Sequence, residues 1–229
     1  MPFPLACAAH SAERKPKGRG FERHDEILAA AARLFVELGI ESVSTRRIAQ
    51  AAGISQTSLY VYFPTKAAIL EALCHRCFSK LVELFRQEAE GGGGPLEQLR
   101  RLMRTYVRFG VEHADEYRLA FMVKQKQLAG DHPADLAALF EPGAAREGLS
   151  PGMQCFLMMQ DRFAELSGAG RLRLDPRLAA QGAWAAGHGL VTLLITMSEF
   201  PWAPFDGLLD AVIDIQLHGA LEASPASNH

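Results

Sequence analysis

Between Glu41 and Glu71 the chain carries no acidic residue, and within that interval Thr45–Leu70 reads TRRIAQAAGISQTSLYVYFPTKAAIL. Few folds accommodate such a run. Ser44 stands where a helix N-cap is wanted and Gly53 where that helix must stop, so the spacing predicts a short helix over 45–52. Ser55 caps a second helix over 56–63, which Pro64 ends because its nitrogen has no hydrogen to donate. Thr65 caps a long helix that runs to about Glu90. Ile48, Ala49, Ala52, Ile54 and Leu59 are small or apolar where the two short helices would cross, and Gly53 is free to take a positive φ between them. Two short helices around a glycine turn form a helix-turn-helix, whose second helix enters a DNA groove.

A further helix precedes this pair. Ile27, Leu28, Ala31, Leu34, Phe35 and Leu38 share one helical face of residues 23–38, and Gly39 supplies the stop. The faces left over in the motif hold Thr45, Arg46, Gln56, Thr57, Ser58, Tyr60, Tyr62 and Lys66, groups that reach phosphates or base edges. Any amphipathic helix leaves a polar face, but an ordinary solvated one carries Glu and Lys. An interval this long without acid favours a surface that approaches a polyanion. Charge is also divided unevenly: residues 1–66 hold nine Lys and Arg against six Asp and Glu, while the remainder holds fifteen against twenty. That division suits a small DNA-binding head on a body that does not touch DNA. Residues 1–20, with three prolines and four Lys or Arg, read as a disordered basic arm.

The run resembles the N-terminal domain of TetR-type transcriptional regulators. The likeness covers about residues 23–70 and rests on Ile48-Ala49, Ala52-Gly53-Ile54-Ser55, Leu59-Tyr60, Tyr62-Phe63 and Lys66. It implies an all-α chain: a three-helix DNA-binding domain over 21–66, a fourth linking helix, and a helical domain over 67–222 that binds ligand and dimerises. It also implies that Thr45, Arg46, Gln56, Thr57, Ser58, Tyr60, Tyr62 and Lys66 stand at positions that commonly touch DNA. Tyr60 and Lys66 are assigned to phosphate, and Gln56, Thr57 and Arg46 to base contact. Phe63 is expected to pack inward; Val61 either meets a thymine methyl or has no role.

The larger remainder also reads as helical. Gly91–Gly94 imply a flexible hinge or surface loop, with Pro95 at the first position of the next helix. Helical patterns cover about 96–113, 115–128, 151–166, 176–198 and 206–222, with a loop over 129–149 and a loose tail over 223–229. No stretch alternates long enough to be a strand. The helix from Arg177 to Ser198 is apolar nearly all round, which requires cover on more than one side. Pairing it and the last helix with their symmetry mates gives a four-helix homodimer interface, with Ala185, Ala186, Gly187 and Gly189 permitting close approach. Trp184, His188 and Gly189, in AWAAGHGLVTL, resemble the C-terminal domain class of that family named for Trp-His-Gly; Gly187 is a departure that loosens the helix. A pocket for a small hydrophobic or amphipathic effector is expected among Tyr106, Phe109, Phe121, Met122, Met158, Met159, Phe163, Trp184 and His188.

No apolar run approaches the roughly 20 residues of a membrane span, the longest lying near Leu190–Met197, and the N-terminus lacks the pattern of a signal peptide. Four scattered cysteines point to a reducing cytoplasm rather than a disulfide framework. Cys74-His75-Arg76-Cys77 has no second ligand pair nearby, so neither a metal nor any other cofactor is expected. The chain is therefore expected to be a non-enzymatic, homodimeric, ligand-responsive regulator, a repressor on a palindromic duplex operator. The competing expectation is a helical carrier or enzyme that retains a non-functional head. It lacks a Ser/His/Asp arrangement, a phosphate-binding glycine loop or a carboxylate cluster to support it.

Overall fold

The computed structural model describes residues 20–122 and 148–222. The expected arm, the tail, most of the 129–149 loop and the end of the 115–128 helix lie outside these residues. The described residues are helical throughout, apart from loops and one isolated antiparallel bridge, Leu172 to Leu221. They fall into two compact units, Met1–Ala72 and Leu73–His229, called here the head and the body.

In the head, α1 (Gly20–Leu38), α2 (Thr45–Ala51) and α3 (Gln56–Tyr62) precede α4 (Lys66–Glu90), which starts in the head and continues in the body. The stripe expected on α1 is its core face: Ile27, Leu28, Ala31, Leu34 and Phe35 are buried. Ile48, Ala49, Leu59 and Phe63 are buried as well. Caps set the boundaries. Ser44 Oγ accepts from the Arg47 amide at 3.3 Å, Ser55 Oγ from Ser58 at 3.0 Å, and Thr65 Oγ1 from Ala68 at 3.0 Å. Gly39 and Gly53 turn the chain with φ of 77° and 66°, a region costly for any residue with a Cβ.

In the body, the four-glycine segment is a surface loop held in place rather than a slack hinge. Arg101 donates to the carbonyls of Glu88 (3.1 Å) and Gly92, and Gln98 donates to that of Gly93 (3.1 Å). Helix α5 (Pro95–Glu112) follows, with Pro95 in its first turn. A short α6 (Ala114–Tyr117) passes into a π-helical turn, Arg118–Met122, where continuous α-helix was expected. Ser150 caps α7 (Pro151–Gly168), and Asp175 caps α8 (Pro176–Thr196) through the amides of Arg177 and Leu178. The last helix, α9 (Phe205–Ala220), ends two residues early because Leu221 turns extended. There Arg173 N bonds Ala220 O and Glu222 N bonds Arg171 O, tying the chain ahead of α8 to the end of α9.

Helix α8 packs against α5, α7 and α9, and α5 against α7 and α9. The α5–α8 crossing depends on glycine. A Cβ on Gly110 would lie 2.7 Å from a Val191 methyl, and one on Gly187 would lie 3.2 Å from the Tyr106 ring. Gly187 is thus used inside the subunit and is not free for the partner contact expected of it. Three ion pairs fix the register of α5 on α9: Arg100–Asp214, Arg104–Asp210 and Arg108–Asp206, each at 2.5 Å. Half-exposed pairs of this kind contribute at most about 1 kcal/mol each, but their four-residue period admits one alignment of the helices. By length and composition the 21-residue α8 is apolar enough to cross a membrane, contrary to the estimate from its longest run. Its many alanines raise the mean without a continuous stretch of large side chains, and it packs as a central helix of the body.

Candidate DNA-contacting face and interior cavity

Helix α3 stands out from the head as a short rod with one buried residue, Leu59. Gln56, Thr57, Ser58, Tyr60, Val61 and Tyr62 are all exposed, Val61 by 80%. Arg46 is exposed on α2, as is Arg47, a second guanidinium that the residue pattern did not single out. Thr45 joins the two helices. The Gln56 amide donates to Thr45 Oγ1 (3.3 Å) and to the Tyr60 hydroxyl (3.2 Å), and Thr45 Oγ1 lies 3.2 Å from that hydroxyl. Hydrogen bonds from Thr45 and then Gln56 draw the Tyr60 hydroxyl below its ordinary pKa. This triangle ties α2 to α3 and engages the N–H donors of Gln56, so in this arrangement the amide meets a base edge as an acceptor through Oε1.

Two other expected contact residues are occupied by the fold. Ser58 Oγ pairs with the N-cap Ser55 Oγ at 2.8 Å. The Lys66 ammonium donates to the Ile40 carbonyl at 2.8 Å, fastening the start of α4 to the α1–α2 loop. An ammonium has three donors, so two remain. Phe63 packs inward as expected, its ring 4.7 Å from that of His24.

The body contains a cavity of about 390 Å³. Helix α4 contributes Phe78, Leu81 and Phe85, α5 contributes Tyr106, and the π-helical turn contributes Ala120 and Phe121. The α7 side supplies Ser150, Gly152, Met153, Cys155, Phe156 and Met159, and α8 supplies Gln181 and Trp184. Of the residues expected to line a pocket, Tyr106, Phe121, Met159 and Trp184 do so. Phe109 does not: it is buried with its ring 4.6 Å from that of His113. Met158 lies about 100° round α7 from Met159, off the cavity face. Phe163 shares the face but sits a turn beyond Met159, fully buried. Met122 lies outside the side chains described.

His188 also stays out of the cavity lining, and its Nδ1 is engaged by a chain of hydrogen bonds that starts there. The Trp184 indole N–H donates to the Tyr106 hydroxyl (3.1 Å), which bonds the Tyr117 hydroxyl (2.9 Å), which meets His188 Nδ1 (2.5 Å). An indole can only donate, so the chain is satisfied when each hydroxyl donates onward and Nδ1 accepts. Burial lowers the His188 pKa, keeping the ring neutral and able to accept. Burial also pushes the Tyr106 hydroxyl up to about 12 and raises that of Tyr117. Tyr117 carries no sequence signal of its own; only the approach of α6 to α8 reveals it. The three described cysteines, Cys74, Cys77 and Cys155, are buried and none is in a disulfide; the Cys74 thiol faces the Leu119 carbonyl at 3.9 Å. Burial raises Cys77 and Cys155 to about 12, so both are neutral thiols.

Comparison with known proteins follows the same division. Residues 27–73 match the family model described as bacterial regulatory proteins, tetR family, and residues 99–218 match Tetracyclin repressor-like, C-terminal domain. Among characterised relatives, the repressor KstR2 of Mycolicibacterium smegmatis is 29% identical over 107 residues, covering 47% of this chain and 52% of that protein. The chain thus matches about half the length of such relatives. A tetR-family regulatory protein of Rhodococcus RHA1 shares the fold with a TM-score of 0.69 at 16% identity, over 89% of this chain and 99% of that one. AibR, solved with isovaleryl coenzyme A and operator DNA, shares it with a TM-score of 0.64 at 19% identity, over 84% and 97%.

Proposed function

This chain belongs to the TetR family of bacterial regulatory proteins, and on that premise we propose that it is a homodimeric transcriptional regulator, a repressor released from its operator by a small molecule. The observation that carries this reading is the face of α3. Apart from Val61, its exposed side chains are an amide, two alcohols and two phenols, in an interval with no carboxylate between Glu41 and Glu71. Arg46, Gln56 and Thr57 are assigned to base edges and Tyr60 to phosphate, with Thr45, Ser58 and Tyr62 beside them. Lys66 holds the Ile40 carbonyl and reaches phosphate with its remaining donors.

A dimer places two such helices in successive major grooves, about 34–36 Å apart, on a palindromic site. The surface for a second copy is the outer side of α8 and α9, where Leu178, Leu193 and Ile215 are exposed, Ile215 by 67%. The effector is a small hydrophobic or amphipathic molecule in the body's cavity. It releases DNA only by binding the DNA-incompetent form better, and DNA then weakens effector binding by the same factor. Such a protein works in the cytoplasm, where the duplex is.

The test is a gel shift with duplex from upstream of its own gene across a salt series. Sequence-selective binding that falls steeply with salt is expected. Binding that ignores sequence, or a flat salt response, contradicts the proposal.

A further inference from the structure

We propose that the body's cavity admits an uncharged, flat aromatic molecule carrying one hydrogen-bonding group and rejects anions; this rests on the cavity being the effector site. Six of the described lining residues are aromatic: Phe78, Phe85, Tyr106, Phe121, Phe156 and Trp184. They already pair edge-to-face, Phe78 with Phe121 at 5.0 Å and 78°, and Phe156 with Trp184 at 6.1 Å and 68°. An aromatic guest extends that packing, whereas an aliphatic guest of equal size gains only its buried area. A volume of about 390 Å³ suits two linked rings.

Charge decides the second half of the proposal. No described lining residue is Asp, Glu, Lys, Arg or His. Tyr106 and Cys155, the titratable groups there, are held neutral by burial at about 12. A carboxylate entering loses its hydration and finds no counter-ion among the described lining residues. The polar handle is Gln181: it is the one side-chain amide in the described lining, and it offers both a donor and an acceptor. The Trp184 N–H is committed to Tyr106.

The experiment is calorimetric titration of the full chain at pH 7 with three two-ring molecules of similar length: 4-phenylphenol, biphenyl-4-carboxylate and the puckered, saturated 4-cyclohexylcyclohexanol. The phenol is expected to bind about 100-fold more tightly than the carboxylate and up to about tenfold more tightly than the saturated alcohol. Gly152→Leu fills the cavity from α7. A Cβ there meets the Phe78 ring at an ordinary 3.6 Å, so helicity by circular dichroism stays unchanged while phenol binding is lost. No binding of the phenol, equal or tighter binding of either competitor, or undiminished binding to Gly152→Leu overturns the inference. A gel shift run with the same molecules separates the two levels. Release of DNA by the carboxylate alone sinks this inference and leaves the regulator standing; phenol binding that never affects DNA sinks the effector reading and leaves the cavity's chemistry standing.

Discussion

In the head, the caps and stops join near neighbours, Ser44 with Arg47, Ser55 with Ser58, Gly39 with Phe35, and the longer closures, Thr45 with Tyr60 and Lys66 with the Ile40 carbonyl, span 15 and 26 residues. In the body they join residues far apart, as in Arg100 with Asp214, Tyr117 with His188, and Arg118 with the Ile195 carbonyl. The head's outward face is preset by hydrogen bonds within and between its short helices, and its polar side chains stay exposed to whatever approaches. The body folds its polar groups against one another and keeps an apolar hollow beside them. A surface of the first kind suits a rigid, repeating partner such as a duplex, and an interior of the second suits a small guest.

The largest test of this contrast is Leu59→Ala. Leu59 is the one buried residue of α3 and is fully enclosed, so its truncation costs about 2–5 kcal/mol. In a unit as small as the head, loss of DNA binding is expected while the body keeps its helicity and its cavity. Coupled loss of both, seen by circular dichroism and effector titration, breaks the division. Gly110→Ala attacks the other half. The added methyl sits 2.7 and 2.9 Å from the Val191 methyl carbons, and overpacking there costs about 1–3 kcal/mol. Scanning calorimetry should show a lowered Tm with DNA affinity unchanged well below it.

Tyr60→Phe and Arg46→Ala probe the preset face itself. Removing the Tyr60 hydroxyl deletes a partner of both Thr45 and Gln56, and removing Arg46 deletes an exposed guanidinium. Each should weaken operator binding about tenfold, the worth of one hydrogen bond to a charged group, with the mass in solution of the proposed dimer unchanged. Unaltered affinity in a gel shift would show that the contacts lie elsewhere on the head.

The smallest effect is a pH dependence confined to the body. The folded His188 pKa is lowered, so the unfolded chain binds that proton more readily. Its contribution is complete above the ordinary value of 6.5 and is lost as pH falls through and below it. Urea unfolding should show the body weakening from pH 7 to 5, with His188→Asn flattening that slope. An unchanged slope would remove His188 from the account.

The same contrast explains what was readable in the chain. The boundaries of α2 and α3 fall within a residue of the expected ones because Ser44, Gly53, Ser55 and Pro64 act on their immediate neighbours, whereas α1, with no such signal at its start, begins three residues earlier than expected. The body's capping pairs, Ser150-Pro151 and Asp175-Pro176, were equally visible. What pattern alone could not supply was partnership across space. Met158 and Phe163 have the right chemistry for a cavity wall, but the rotation and length of α7 place them off it. His188 looked available for a ligand until Tyr117 took its Nδ1. Gly187 read as a weak point of α8, yet it is where the Tyr106 ring rests. The Arg–Asp ladder between α5 and α9 needs both helices before its period means anything.

The most direct test of the central claim is selection of bound duplexes from a random pool by the full-length protein. Enrichment of an inverted repeat with half-sites one helical turn apart is the result this account predicts, because two α3 helices related by a two-fold axis read the same bases twice. Recovery of no motif, or of a single site without symmetry, would contradict it.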